Sequence, residues 1–148
     1  MKTTIAQPIR FGIVIGGLLI AYFLILSLLG WNTNPIFSLF NAVITSFGIY
    51  ETIKIYKLKK GSSFNYINGF KIGLVAGVVG AFVFTSFFAI YITELNPSFY
   101  EQITANLKMK ISPGLMIFSV LLMGIVTSIV LTLSFMQLFK RSNNITAK

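Results

Sequence analysis

Apolar residues along this chain fall into long stretches, and the polar residues between them are turn formers or cations. The longest stretch, Phe11 through Tyr50, is 40 residues without Asp, Glu, Lys or Arg. A helix rises about 1.5 Å per residue and about 20 residues cross a hydrocarbon core, so this run exceeds one crossing and must turn. GWNTNP, Gly30 to Pro35, supplies the turn. Gly and Asn are turn formers, and Pro35 as the first residue of a new helix sacrifices no hydrogen bond, because that amide is unpaired anyway.

The pattern predicts an all-α integral membrane protein with four transmembrane helices, at about 11–31, 36–56, 72–93 and 115–139. The whole chain, 1–148, reads as one four-helix domain, with a polar tail over 140–148. The apolar run Phe11 to Leu29 exceeds the roughly 7–15 residues of a secretory signal and no A-x-A-like site follows it, so it reads as a retained first span.

Between the third and fourth spans lies NPSFYEQITANLKMKISPG. Ser98 with Glu101 fits a capping box, and Phe99, Ile103 and Leu107 recur at i, i+4 and i+8. This predicts a short amphipathic helix at about 98–110, lying along the membrane surface; an ordinary exposed loop is the plainer alternative.

The second span is the most polar. Ser38, Asn41, Thr45, Gly48 and Thr52 recur at spacings of 3, 4, 3 and 4, which places them on one helical seam facing protein, with Phe and Ile side chains facing lipid. Asn41, Thr45 and Glu51 are the candidates for a polar path. The competing reading is interhelical hydrogen bonds worth roughly 0.6 kcal/mol each, with Glu51 paired to Lys54 at the interface.

Charge fixes the expected topology. Lys and Arg number 12 against 3 acids, and Lys54, Lys57, Lys59, Lys60 and Lys71 cluster between the second and third spans. Cationic loops resist translocation, so four spans place these lysines and both termini in the cytoplasm, leaving Lys108 and Lys110 outside. Deleting the doubtful second span would strand the lysine-rich middle loop outside, so charge supports the span that hydropathy supports least. The same lysines could also hold anionic lipid, at up to about 1 kcal/mol each. Nucleic acid is not expected, because the net charge of +9 is spread along membrane boundaries.

Small residues recur at helical spacing. Gly12 and Gly16 form GxxxG, as do Gly69, Gly73 and Gly77, while Gly124, Ser128 and Thr132 make a ridge on the fourth span. Such residues let backbones approach closely, either within the chain or against a second copy or another membrane protein. RFGIVIG at 10–16 echoes KIGLVAG at 71–77, and NPIF at 34–37 echoes NPSF at 96–99. Two parallel helical-hairpin repeats would explain both echoes, and so would chance among glycine-rich apolar helices.

Reactive chemistry is scarce. The chain has no Cys, His or Asp, and Glu51, Glu94 and Glu101 are its only side-chain carboxylates. Metal sites and acid–base catalysis draw on clusters of those residues, so no metal, no cofactor and no enzymatic activity are expected. The nearest approach to a convergent polar group is Glu94 and Glu101 with Lys108.

The lysine-rich segment running into FNYINGFKIG, the glycine-rich third span and the ITELNPSFYEQ stretch resemble a bacterial family of small four-helix membrane proteins, domain of unknown function 4199. The resemblance implies a fold and an inner-membrane address, and carries over no activity, cofactor or functional residue. Two functions remain in view. A non-enzymatic scaffold or accessory subunit should have a tightly packed interior and lose association when Gly73 or Gly77 becomes Leu. A small transporter or channel should instead show a cavity reaching Asn41 or Thr45, with Glu51 essential.

Overall fold

The computed structural model describes residues 2–140, with side chains from residue 5. The expected tail over 140–148 lies outside that range except for Lys140. The order is α1 (Lys2–Leu29), α2 (Pro35–Lys60), α3 (Tyr66–Ile90), α4 (Pro97–Leu107) and α5 (Pro113–Phe139), with no strand among the described residues. A short 3₁₀ turn, Gly61–Ser63, follows α2, and a π turn, Tyr91–Leu95, extends α3. Four helices are long and apolar enough to cross a membrane; α2 has the lowest mean hydropathy, 1.4 against 2.2 to 2.6 for the others.

Local chemistry explains the ends. At α1, Gly30 is left-handed (φ 70°), with Trp31 N donating to Leu26 O (2.9 Å) and Gly30 N to Ser27 O (3.2 Å), the paired bonds of a glycine-terminated helix. Asn34, Asn65 and Ser112 accept from backbone amides of the first turns of α2, α3 and α5. Proline occupies the first turn of α2, α4 and α5, where its missing N–H is harmless.

Three boundaries differ from the sequence reading. The lysine cluster Lys54, Lys57, Lys59 and Lys60 is helical, forming the last two turns of α2, and the connection to α3 begins only at Gly61. Lysine favours helix and complements the carbonyl end of the helix dipole, so a cationic terminus extends α2 rather than ending it. The capping box does not form: α4 starts at Pro97, Ser98 Oγ donates to Asn96 Oδ1 (2.5 Å), and Glu101 is exposed. Finally, α4 stops at Leu107 because Lys108 turns left-handed (φ 51°).

The middle of the bundle is α3, which touches α1, α2 and α5. A helix flanked on three sides must admit close neighbours, and most of its buried residues are accordingly small: Gly69, Gly73, Ala76, Gly77, Gly80 and Ala81, beside Ile72, Thr85 and Phe88. The other helices supply the bulk. At one end Ile15, Leu19, Ile49, Ile53 and Met136 pack around Ala76; at the other Phe23, Phe88, Tyr91, Ile92, Phe99 and Met116 form a second core. Lys57 Nζ donates to Phe139 O (3.2 Å) and Lys59 Nζ to Gln7 Oε1 (3.1 Å), which gathers the start of α1 and the ends of α2 and α5 at one end of the bundle. The helices therefore traverse the bundle an even number of times, and α4 lies at the opposite end.

The α4 segment is helical, but its apolar side is spent on the bundle. Phe99 is 3% exposed among Phe23, Phe88 and Tyr91, and Ile103 packs against the same cluster, whereas Leu107 is exposed. The NPIF and NPSF echo marks two helix starts of different kind. Asn34-Pro35 opens the 26-residue α2, whereas Asn96-Pro97 opens the 11-residue α4, and the second half reaches its other long helix only at Pro113.

Candidate functional site

The second and fifth helices meet only at the lysine end. There Tyr50 stacks on Phe139 (5.4 Å between rings) and sets its edge to Phe135 (5.5 Å). Toward α4 the two part, and a cleft of about 520 Å³ opens between them. Its back wall is α3, through Gly77, Ala81, Phe84 and Thr85, and α1, through Leu19, Phe23 and Leu26; Phe99 and Ile103 of α4 close one end. Leu39 and Met123, 69% and 70% exposed, stand on the two sides. The cleft thus opens sideways through an apolar rim.

Side-chain size on α2 causes the opening. Inward positions at the lysine end are Ile49, Thr52, Ile53 and Tyr56, all buried; toward α4 the seam continues as Thr45, Asn41 and Ser38, which are too short to span the gap to α5. Across the cleft, α5 presents Gly124, Thr127 and Ser128, which are short as well.

Two residues of the cleft lining each carry a buried polar atom with no partner. Asn41 Oδ1 and Thr85 Oγ1 are both buried without a hydrogen bond, and Thr85 is 5% exposed. Burying such a group unsatisfied costs about 1–3 kcal/mol. By contrast, Thr45 Oγ1 donates to Asn41 O (2.8 Å) and Ser128 Oγ to Gly124 O (2.7 Å). No charged side chain lines the cleft.

The structure brings Asn41 and Thr45 together and leaves Glu51 out. Glu51 pairs with Lys54 (3.2 Å) on the outer surface of α2, outside the cleft lining. Six residues separate it from Thr45, about 120° around the helix, so it cannot share their seam.

The glycine positions are occupied within the chain. A Cβ on Gly12 would meet Ala76 O at 2.7 Å and Val79 Cβ at 2.6 Å, and one on Gly16 would meet Val83 Cβ at 2.6 Å, so both face α3. Gly73 abuts Ile53 and Thr132, Gly77 abuts Ser128 and Ile49, and Gly124 abuts Ala81. The echoed glycines therefore do different work, one pair against a single helix and the other against two.

Of the lysines, Lys57 lies over the rings of Phe139 (5.1 Å) and Phe64 (5.7 Å), and Lys59, Lys60 and Lys71 are exposed. An open hollow of about 700 Å³ beside α4 brings Glu101 and Lys108 together but not Glu94.

Sequence reasoning missed Thr85. Thr85 continues the four-residue spacing of Gly69, Gly73, Gly77 and Ala81 along α3, and that register was readable. Tyr22 OH donates to Phe37 O (2.9 Å), tying α1 to the first turn of α2 beside the cleft.

No curated protein and no solved structure matches the chain. A protein family does: the chain belongs to the family described as "Protein of unknown function (DUF4199)", whose match covers residues 10–141 and so reaches into all four long helices and the cleft between α2 and α5.

Proposed function

We propose that this protein is a non-enzymatic accessory protein of the bacterial inner membrane that works by holding a membrane-soluble partner molecule in the α2–α5 cleft. One observation carries the reading: a cleft of about 520 Å³ reaches Asn41 and Thr45 within apolar helices, a volume within the roughly 300–1,000 Å³ range of small-molecule sites. A plain scaffold has no use for such a space. The glycines that suggested self-association are already covered by neighbouring helices, so Gly73→Leu or Gly77→Leu damages the fold before it touches any partner. In the orientation that the lysines favour, both termini are cytoplasmic and the cleft lies in the outer half of the membrane.

Photolabelling tests the binding claim. A fatty-acyl probe carrying a diazirine, irradiated with the protein in lipid nanodiscs, is expected to mark Ala42, Thr45, Met123 or Thr127. Adducts confined to outward residues such as Ile13, Leu18 and Leu28 would overturn it.

Transport is the second reading, and the same cleft favours it. It further requires the lysine end to open, where Tyr50 now stacks on Phe139, and it no longer draws on Glu51.

A further inference from the structure

We infer that the occupant of the cleft is a lipid-like amphiphile of the leaflet at the α4 end, held tail inward, with a hydrocarbon chain running toward Thr45 and Ser128 and a polar head hydrogen-bonded beside Asn32, Asn34 and Ser38. The inference rests on the cleft-binding reading and adds the class and orientation of the ligand.

Three observations converge. First, the polar surface of the cleft lies at one end. The α1–α2 turn and the start of α2 contribute Asn32, Asn34 and Ser38 to the lining; Asn32 is partly buried and the other two are exposed. Asn34 Oδ1 accepts from Ile36 N (3.0 Å), and a side-chain amide has two donors and a second lone pair beyond that one bond. Farther in, the polar atoms are withdrawn. Thr45 Oγ1 and Ser128 Oγ are spent on carbonyls of their own helices, and Asn41 Oδ1 and Thr85 Oγ1 are buried beneath the lining surface. The inner cleft is therefore mainly carbon, from residues such as Leu19, Ala42, Ala81 and Phe84.

Second, the depth matches one leaflet. Lining residues run from Pro35 to Thr45 on α2 and from Phe88 to Gly77 on α3, ten and eleven residues, or about 15 and 16 Å along the helices. Half of a hydrocarbon core of about 30 Å is the same length. Beyond that depth Ile49 and Ile53 are fully buried and Tyr50 stacks on Phe139, which closes the inner end.

Third, the way in is lateral and uncharged. Between Leu39 and Met123 a chain can enter from the lipid while its head stays at the level of other headgroups, so the head escapes the desolvation that a deeper seat would impose. No charged side chain lines the cleft to anchor the head by an ion pair, and hydrogen bonds to the asparagines and Ser38 take that part. A wholly apolar molecule would fill the inner space and gain nothing at this polar edge.

The test uses monopalmitoylglycerol in nanodiscs, with a diazirine either beside the ester or at the chain end. On the wild-type protein the ester-side probe is expected to mark Asn32, Ser38 or Leu39, and the chain-end probe Thr45, Thr127 or Ser128. Asn32→Ala with Ser38→Ala should lower chain-end labelling of Thr45 and Thr127 by at least about 5-fold, the loss of roughly one net hydrogen bond. Labelling by a hexadecane diazirine should not change. Both glycerol-ester probes marking the same cleft residues, or marking them in the reverse order, would overturn the inference while sparing the cleft-binding reading. So would, in a variant that melts as the wild type does, unchanged labelling by the glycerol ester or an equal loss with hexadecane. If neither probe marks the cleft, both readings fall. The wild-type pair of probes decides the orientation even if the double variant does not fold.

Discussion

The two ends of the bundle have similar apolar character and opposite interiors. At the lysine end, Ile49, Thr52, Ile53, Thr132 and Met136 are 0% exposed, and Gly73 lets Ile53 and Thr132 seat against α3. At the α4 end, large side chains are abundant but gathered on one side. Phe23 meets Phe84, Phe87, Phe88, Tyr91 and Phe99 edge-on, with ring centres 4.9 to 6.3 Å apart. That cluster fills the space among α1, α3 and α4, leaving the α2 side to Ser38, Asn41 and Thr45. Filling a bundle is thus a matter of where bulk is placed, and three short residues on one seam suffice to keep a cleft open.

Six substitutions would break or sharpen this contrast. The largest effect is expected for Gly77→Leu, where the closed end meets the cleft. Its Cβ would meet Ser128 Cβ at 2.5 Å with Ile49 at 3.0 Å, and overpacking of this kind costs about 1–3 kcal/mol or more. Loss of the cooperative melt in detergent should follow. Gly17→Leu, with nothing within 4 Å of its Cβ, should melt as the wild type does.

Next comes the aromatic end. Tyr91 OH bonds Ser27 and accepts from Asn96 Nδ2 (3.1 Å), so Tyr91→Phe should cost about 1–2 kcal/mol while keeping the ring contacts. Hydrogen exchange should accelerate over Tyr91–Leu95 and stay unchanged around Thr52. Within the π turn Tyr91 and Ile92, adjacent in sequence, are both buried at 4% and 3%.

A smaller gain is expected at Thr132, whose hydroxyl is buried without a partner in the closed end. Thr132→Val should raise stability by about 1 kcal/mol in a denaturation titration. Thr85→Val, which removes the same kind of buried unpartnered hydroxyl, should give a similar gain. The smallest effect belongs to Glu51→Gln. Its ion pair with Lys54 has side chains 26% and 45% exposed, so the change should fall below about 0.5 kcal/mol and leave cleft labelling untouched.

Much of the architecture was legible in the residues. Four apolar runs and the lysine cluster imply four long helices with both chain ends near the cluster, and Lys57 and Lys59 do join those ends. The seam of Ser38, Asn41 and Thr45 was legible by spacing. Its consequence was not, because whether a short seam meets a neighbour or a gap depends on Phe23 and Phe99, far away in the chain. Glu51 was misgrouped for a readable reason, its 120° offset. The destination of Phe99 was hidden, since one apolar face serves a lipid surface or a protein core equally well.

The contact between α1 and α3 bears on how the chain is made. Gly12 and Gly16 complement α3, which emerges after α2 has already been inserted. The newborn first hairpin therefore holds a bare backbone groove against lipid until the third crossing arrives. A chain truncated after Lys60 lacks the helix that covers Gly12 and Gly16.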